Sequence, residues 1–66
     1  MKIQVTWNIR DGSSDTVETV VNPNDPHKDD EELQVTKARA AASARFTQKF
    51  GKTPPPNELS VHVIKD

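Results

Sequence analysis

Cysteine and tyrosine are absent from the sequence, and glycine occurs only twice in 66 residues. Without cysteine there can be no disulfide and no thiolate metal site, which argues against a small secreted scaffold. No hydrophobic run approaches the length of a membrane span, and no apolar stretch follows Met1 as a signal peptide would. These absences predict a cytoplasmic protein with no membrane partner.

Hydrophobic residues are also few, at 32% of the chain, and Trp7, Phe46 and Phe50 are the whole aromatic set. A chain of this length has room for one domain with a thin core. We therefore interpret residues 1–66 as a single domain in which one sheet packs against one helix. So small a core gives modest stability, and association with a second copy would be a natural supplement.

The net charge of −1 conceals two segments of opposite charge. Residues 11–32 hold eight acidic residues and one base, Lys28, whereas residues 33–57 hold five bases and no acid. The chain is therefore an electrical dipole along its sequence, with an acidic part followed by a basic part.

The first third of the chain has the pattern of a β-hairpin. Apolar and polar residues alternate from Lys2 to Arg10, with a period of two that is typical of a half-buried strand. The turn residues Asp11–Ser14 follow, and the segment Thr16–Val21, β-branched apart from Glu18, predicts a second, antiparallel strand. The prolines at 23 and 26 then interrupt regular structure.

A helix is predicted next, with Asp29 as N-cap and Glu32 three residues later, as in a capping box. Thr36 is an alternative start. The helix ends at Phe50, because Gly51 suits the left-handed position that follows a helix. Leu33 lies off the apolar stripe and either forms a staple at the N-terminus or packs elsewhere. The stripe, at 100° per residue, consists of Val35, Ala38, Ala42, Phe46 and Phe50.

The stiff linker Thr53–Pro56 leads to a third alternating segment, Glu58–Ile64. The element order is therefore ββαβ. A helix crossing between parallel strands two and three leaves strand one between them. We expect an α+β fold with a three-stranded, mainly antiparallel sheet of order 2-1-3 and the helix on one face. The sheet would contribute to the core Ile3, Val5, Trp7, Ile9, Val17, Val21, Leu59, Val61 and Val63.

No group of residues indicates catalysis, a cofactor or a metal. His27 and His62 have no accompanying ligands at a recognisable spacing, so solvated histidines are the favoured interpretation. The acidic run Asp29–Glu32 lacks the alternation and the glycine of a calcium loop, and helix capping explains it better. We therefore predict a protein that is not an enzyme.

The sequence instead predicts a small interaction module or accessory protein whose partner is another protein, with a homodimer as one form. Three surfaces are candidates: the open face of the sheet, an unprotected edge strand, and a helix face of small residues that includes Thr36, Ser43 and Thr47. The candidate binding residues on the sheet and helix are Gln4, Thr6, Asn8, Arg10, Val20, Ala40, Ala44, His62 and Ile64.

The alternative is an accessory protein that binds nucleic acid through the basic helix. Its candidate residues are Lys37, Arg39, Arg45, Lys49 and Lys52. These side chains do not share one helical face, and the acidic part of the chain would repel a polyanion. Because Trp7 is predicted to point into the core, the outer sheet face also lacks an aromatic platform for stacking bases.

Overall fold

The computed structural model describes residues 1–9 and 12–65. Three strands, a long helix and a one-turn 3₁₀ helix follow one another as β1 (Lys2–Asn8), β2 (Ser14–Val20), α1 (Glu31–Phe50), the 3₁₀ helix (Pro56–Glu58) and β3 (Leu59–Ile64). The predicted ββαβ order is confirmed, and the 3₁₀ helix is an addition to it.

The strands form one sheet in the order β2-β1-β3, and β1 is antiparallel to both neighbours. Val5 of β1 lies opposite Val17 on one side and Val61 on the other. The alternation of β1 therefore places its apolar residues on the face that α1 covers. The predicted α+β fold and the strand order 2-1-3 are confirmed.

The hairpin is longer than predicted on its second strand. β2 begins at Ser14, not Thr16, because Asn8 pairs with Ser14. The turn is closed by a hydrogen bond from the backbone N of Ile9 to the carbonyl of Ser13 (3.0 Å), and Gly12 has a φ of +92°. β1 ends at Asn8, and the predicted extension to Arg10 reaches a position outside the described residues.

Two further strand ends differ from the prediction. β2 ends at Val20, and Val21 lies just beyond it, buried, with its backbone N bonded to the carbonyl of Met1. β3 starts at Leu59 because Glu58 belongs to the 3₁₀ helix, where its backbone N donates to the carbonyl of Pro55. Proline stiffens this segment, and the chain turns once before it enters the sheet.

The N-cap of α1 is Asp30, so the prediction of Asp29 is wrong by one residue. Asp30 is in an extended conformation and its carboxylate accepts a hydrogen bond from the backbone N of Leu33 at 3.2 Å. Its own backbone N is bonded to the carbonyl of His27 in the preceding turn, which fixes the position. Leu33 is half-buried and lies outside the core cluster.

The C-terminal end of α1 agrees with the prediction. Gly51 adopts a φ of +74° and its backbone N donates to the carbonyl of Thr47 at 2.8 Å. Only glycine takes this left-handed conformation without a steric cost, which explains why the helix stops here.

The core lies between β1 and the middle of α1. Ile3, Val5 and Trp7 are at most 2% exposed, as predicted, and they pack against three buried helix residues, Ala38, Ala42 and Phe46. Two predicted core residues are more than one third exposed: Phe50 at 39% and Val61 at 37%. Phe50 stands at the last turn of the helix, and Val61 on an edge strand, so each has neighbours on one side only.

Candidate protein-binding surface

The open face of the sheet is polar and its side chains bond to one another. Gln4 donates to Glu18 at 3.2 Å, and the hydroxyls of Thr6 and Thr16 lie 2.9 Å apart. Asn8 donates to the hydroxyl of Ser60 at 2.9 Å. The predicted residues Gln4, Thr6 and Asn8 therefore occupy the predicted face, but these side chains already have partners within the sheet.

One end of this face is less polar. Lys2 lies between Val20, which is 64% exposed, and the half-buried Ile64. His62 is exposed in the next row of the face, opposite Gln4. The structure thus brings together three of the predicted binding residues, Val20, His62 and Ile64, on the outer face. The remaining predicted sheet residue, Arg10, lies outside the described residues.

The two edges of the sheet differ in charge. β2 carries Asp15 and Glu18, whereas β3 has the sequence Leu-Ser-Val-His-Val-Ile without a formal charge at neutral pH when its histidine is neutral. Charged side chains on an edge strand discourage pairing with another chain, and β3 has none of this protection. Within the described residues, β3 is paired with β1 alone.

The row Val17–Val5–Val61 shows how the helix covers the sheet. Val5 in the centre is fully buried, Val17 on β2 is half-buried, and Val61 on β3 is 37% exposed. A helix is about 10 Å wide, which is roughly the distance between the axes of the two outer strands. A helix above β1 therefore reaches only to the middle of β2 and of β3, and the outer sides of these two strands are incompletely covered. The margin at β3 is apolar and accessible.

The helix face of small residues is exposed, as predicted, at Ala40 and Ala44. Its hydroxyl groups turn back onto their own helix: Thr36 donates to the carbonyl of Glu32 and Thr47 to that of Ser43. This face therefore offers a surface of small, uncharged side chains on which the hydroxyl donors of Thr36 and Thr47 are already used.

The basic residues of the predicted nucleic-acid surface do not converge. Lys37 pairs with Asp25 at 3.3 Å and Lys49 with Asp15 at 3.2 Å. Lys52 lies over the ring of Trp7, 5.8 Å from its centre. The two arginines of this set, Arg39 and Arg45, are half-buried and exposed, respectively. The ion pairs connect the basic helix to the acidic segments, which reduces the charge available to a phosphate backbone.

Sequence reasoning missed a polar cluster at the start of the helix. The buried amide of Gln34 donates to the carbonyl of His27 at 2.8 Å and to Asp25 at 3.2 Å. The backbone N–H of His27 donates to Asp25, and together with Gln34 and Lys37 it lowers the pKa of that carboxyl. The cluster attaches the proline-containing loop to the helix. In the sequence, the turn motif Asn22-Pro-Asn-Asp-Pro was the one indication that side chains of this loop bond to nearby groups.

Among the described residues, neither histidine belongs to a group of metal ligands. In the portion of the chain that the structure describes, no three His, Asp or Glu side chains are grouped to hold a metal ion. The same portion contains no helix with both the length and the hydropathy to cross a membrane.

Comparison with known proteins gave no match to a family model, to a curated protein or to a solved structure.

Proposed function

We propose that this protein is a non-catalytic interaction module that binds another protein by adding an extended segment to the edge of β3. The observation that carries the proposal is the combination of an uncharged edge strand with an exposed apolar residue, Val61, on its helix-facing side. An edge strand offers backbone N–H and C=O groups for main-chain hydrogen bonds, and alternate side chains supply specificity.

The other edge suits this role less well. On β2, Asp15 is held by Lys49 and Glu18 accepts a hydrogen bond from Gln4. A strand added there would lie beside two carboxylates that already have partners. At β3 the incoming strand would meet Val61 and Val63 on the helix side, and Ser60 and His62 on the outer side.

The outer face of the sheet supports the proposal because it continues from the β3 edge. Ile64 and His62 extend the surface onto the outer face, where an added strand would continue the existing rows of side chains. The helix face with Ala40 and Ala44 lies on α1, and its small side chains alone do not indicate an occupant. The cytoplasmic location predicted from the sequence belongs to the same proposal.

The test is a selection of binding peptides from a random library displayed against the immobilised full chain, followed by amide chemical-shift mapping. We expect selected peptides to shift amides of Leu59–Ile64 and to lose binding to Val61→Lys. The matched control is Val20→Lys, which places the same charge at an exposed valine of the other edge and should leave binding unchanged. Peptides that shift β2 or α1 instead, or a library that yields no binder, would contradict the proposal.

Nucleic-acid binding remains the second candidate, with weaker support. The chain carries five basic residues between positions 33 and 57, but Lys37 and Lys49 are paired with carboxylates. Titration with a labelled duplex and a labelled single strand at low and high salt tests it. Binding that falls steeply with salt and is lost in Arg39→Glu/Arg45→Glu would favour this function over strand addition.

A further inference from the structure

We propose that the segment added to β3 is β3 of a second copy of this chain, so that the protein forms a twofold dimer with a continuous six-stranded sheet. This inference rests on the proposed function, since it names the occupant of the same edge. It follows from the sequence of β3, its charge, and the space beside the helix.

A twofold axis perpendicular to the sheet pairs the two β3 strands antiparallel and keeps both helices on one face. Each residue then lies opposite a residue whose side chain is on the same face of the sheet. With the axis at Val61, this residue meets Val61 of the second copy. On the helix side Leu59 meets Val63, and on the outer side Ser60 meets His62. Apolar residues thus face apolar ones, and polar residues face polar ones.

Charge also favours a second copy at this edge. A twofold strand pair contains only the charges of one strand, each present twice, so a strand whose charges are all of one sign finds no opposite charge in its copy. β3 carries no formal charge when His62 is neutral, whereas pairing of two β2 strands would bring the Asp15 and Glu18 carboxylates of both copies onto one strand pair. The axis at Val61 also keeps the two His62 side chains from facing each other directly.

The helices leave room for this arrangement. α1 packs chiefly on β1, the central strand. In the dimer the two β1 strands would be three strand spacings apart, about 14 Å, which exceeds the 8–10 Å at which helices pack. The helices would therefore clear one another, and the two Val61 side chains would cover each other between them.

A single pair of short strands gives a small interface, so the dimer should be concentration-dependent. Sedimentation equilibrium of the full chain should show a shift from monomer towards dimer as the concentration rises. Val61→Glu and Val61→Lys should each be monomeric, because each places like charges across the axis. Mixed in equal amounts, they should form a heterodimer, and this rescue would show that both variants are folded.

A cross-link tests the position of the axis independently. Because the chain has no cysteine, Val61→Cys introduces a single thiol, and mild oxidation should give a disulfide-linked dimer in high yield. The control Val20→Cys, exposed on the outer face of the opposite edge strand, should give several-fold less. A dimer in which Val61→Cys cross-links no better than Val20→Cys would place the interface elsewhere and overturn the inference.

The outcomes separate this inference from the proposed function. A chain that is monomeric at every concentration, yet binds selected peptides along Leu59–Ile64, refutes the homodimer and retains strand addition. A monomer that binds no peptide at β3 refutes both. A dimer broken by Ala44→Glu but not by Val61→Glu assigns association to the helix face and refutes the β3 dimer, while peptide binding along Leu59–Ile64 decides separately whether strand addition is retained.

Discussion

The indole Nε1 of Trp7 donates a hydrogen bond to the carboxylate of Glu58 at 3.1 Å, which joins the end of β1 to the 3₁₀ helix before β3. Trp7 is only 2% exposed, and it also contacts Phe46 and Phe50 at ring-centre distances of 5.7 and 5.2 Å. A buried indole has one polar group, and here Glu58 satisfies it. The bond fixes where the chain enters its edge strand.

Replacing Glu58 tests the contribution of this bond to stability. Glu58→Ala leaves the buried indole N–H without this acceptor, and we expect the free energy of unfolding to fall by about 1–3 kcal/mol. Glu58→Gln keeps a carbonyl acceptor for the indole and should be more stable than Glu58→Ala. Urea unfolding followed by the fluorescence of Trp7 measures both. Equal stabilities for the two variants would show that the bond contributes nothing.

Phe46 and Phe50 belong to the same predicted stripe but differ in burial, at 0% and 39% exposed. Phe46→Ala should cost about 3–5 kcal/mol, which is close to the whole stability of a domain this small. We therefore expect it to lose its cooperative thermal transition by circular dichroism, while Phe50→Ala retains one. A near-native melting temperature for Phe46→Ala would contradict the central place of this ring in the core.

The fold was predictable because its periodic segments are consistent with one another. The alternation of β1 set which face is buried, and the ββαβ order left few arrangements, of which 2-1-3 is the observed one. The exposure of Val61 was not predicted, since alternation assigns a residue to a face and does not tell how far a helix extends over it. That extent depends on the width of the helix relative to the three-stranded sheet, which the sequence pattern does not contain.

The polar contacts were less predictable than the strands. Gln34 occupies a helix position whose neighbours in sequence give no indication of burial, and its partners, Asp25 and the carbonyl of His27, belong to a loop whose path is set by the packing. The N-cap was misplaced for a similar reason. Asp29 and Asp30 are chemically equivalent, and the turn from His27 to Asp30 decides between them.

A pair of substitutions tests the N-cap. Asp30→Ala removes the acceptor for the backbone N of Leu33 and should lower the free energy of unfolding by about 1 kcal/mol. Asp29→Ala removes a carboxylate of the same charge that does not cap, and should have a much smaller effect. Chemical unfolding curves of the two variants at neutral pH provide the comparison. A larger loss of stability for Asp29→Ala would indicate that Asp29 is the N-cap, as the sequence predicted.

The last prediction concerns the amide of Gln34, which donates to the carbonyl of His27 and to Asp25. Gln34→Glu replaces these donors with carboxylate oxygens facing two acceptors, so we expect a loss of about 1–3 kcal/mol at pH 7. Protonation restores one donor in the folded state, which raises the pKa of the introduced carboxyl above its unfolded value of about 4.3. The stability of the variant relative to the parent should therefore improve as pH falls through that raised pKa.

In the parent chain Asp25 titrates below the pH range of this test. Its folded pKa is lowered, so its contribution to stability is complete above its ordinary pKa of 3.8 and is lost as the pH falls through the folded value. Gln34→Glu removes one of the hydrogen bonds that lower this pKa and places a second carboxyl beside it, so unfolding measured between pH 7 and 5 reports on the pair of carboxyls. Gln34→Leu, which removes the same donors without adding a charge, should be destabilised by an amount that does not change over this range. A Gln34→Glu variant whose deficit is equally constant would show that the carboxyl escapes to solvent, and that the cluster around Asp25 does not confine the side chain at position 34.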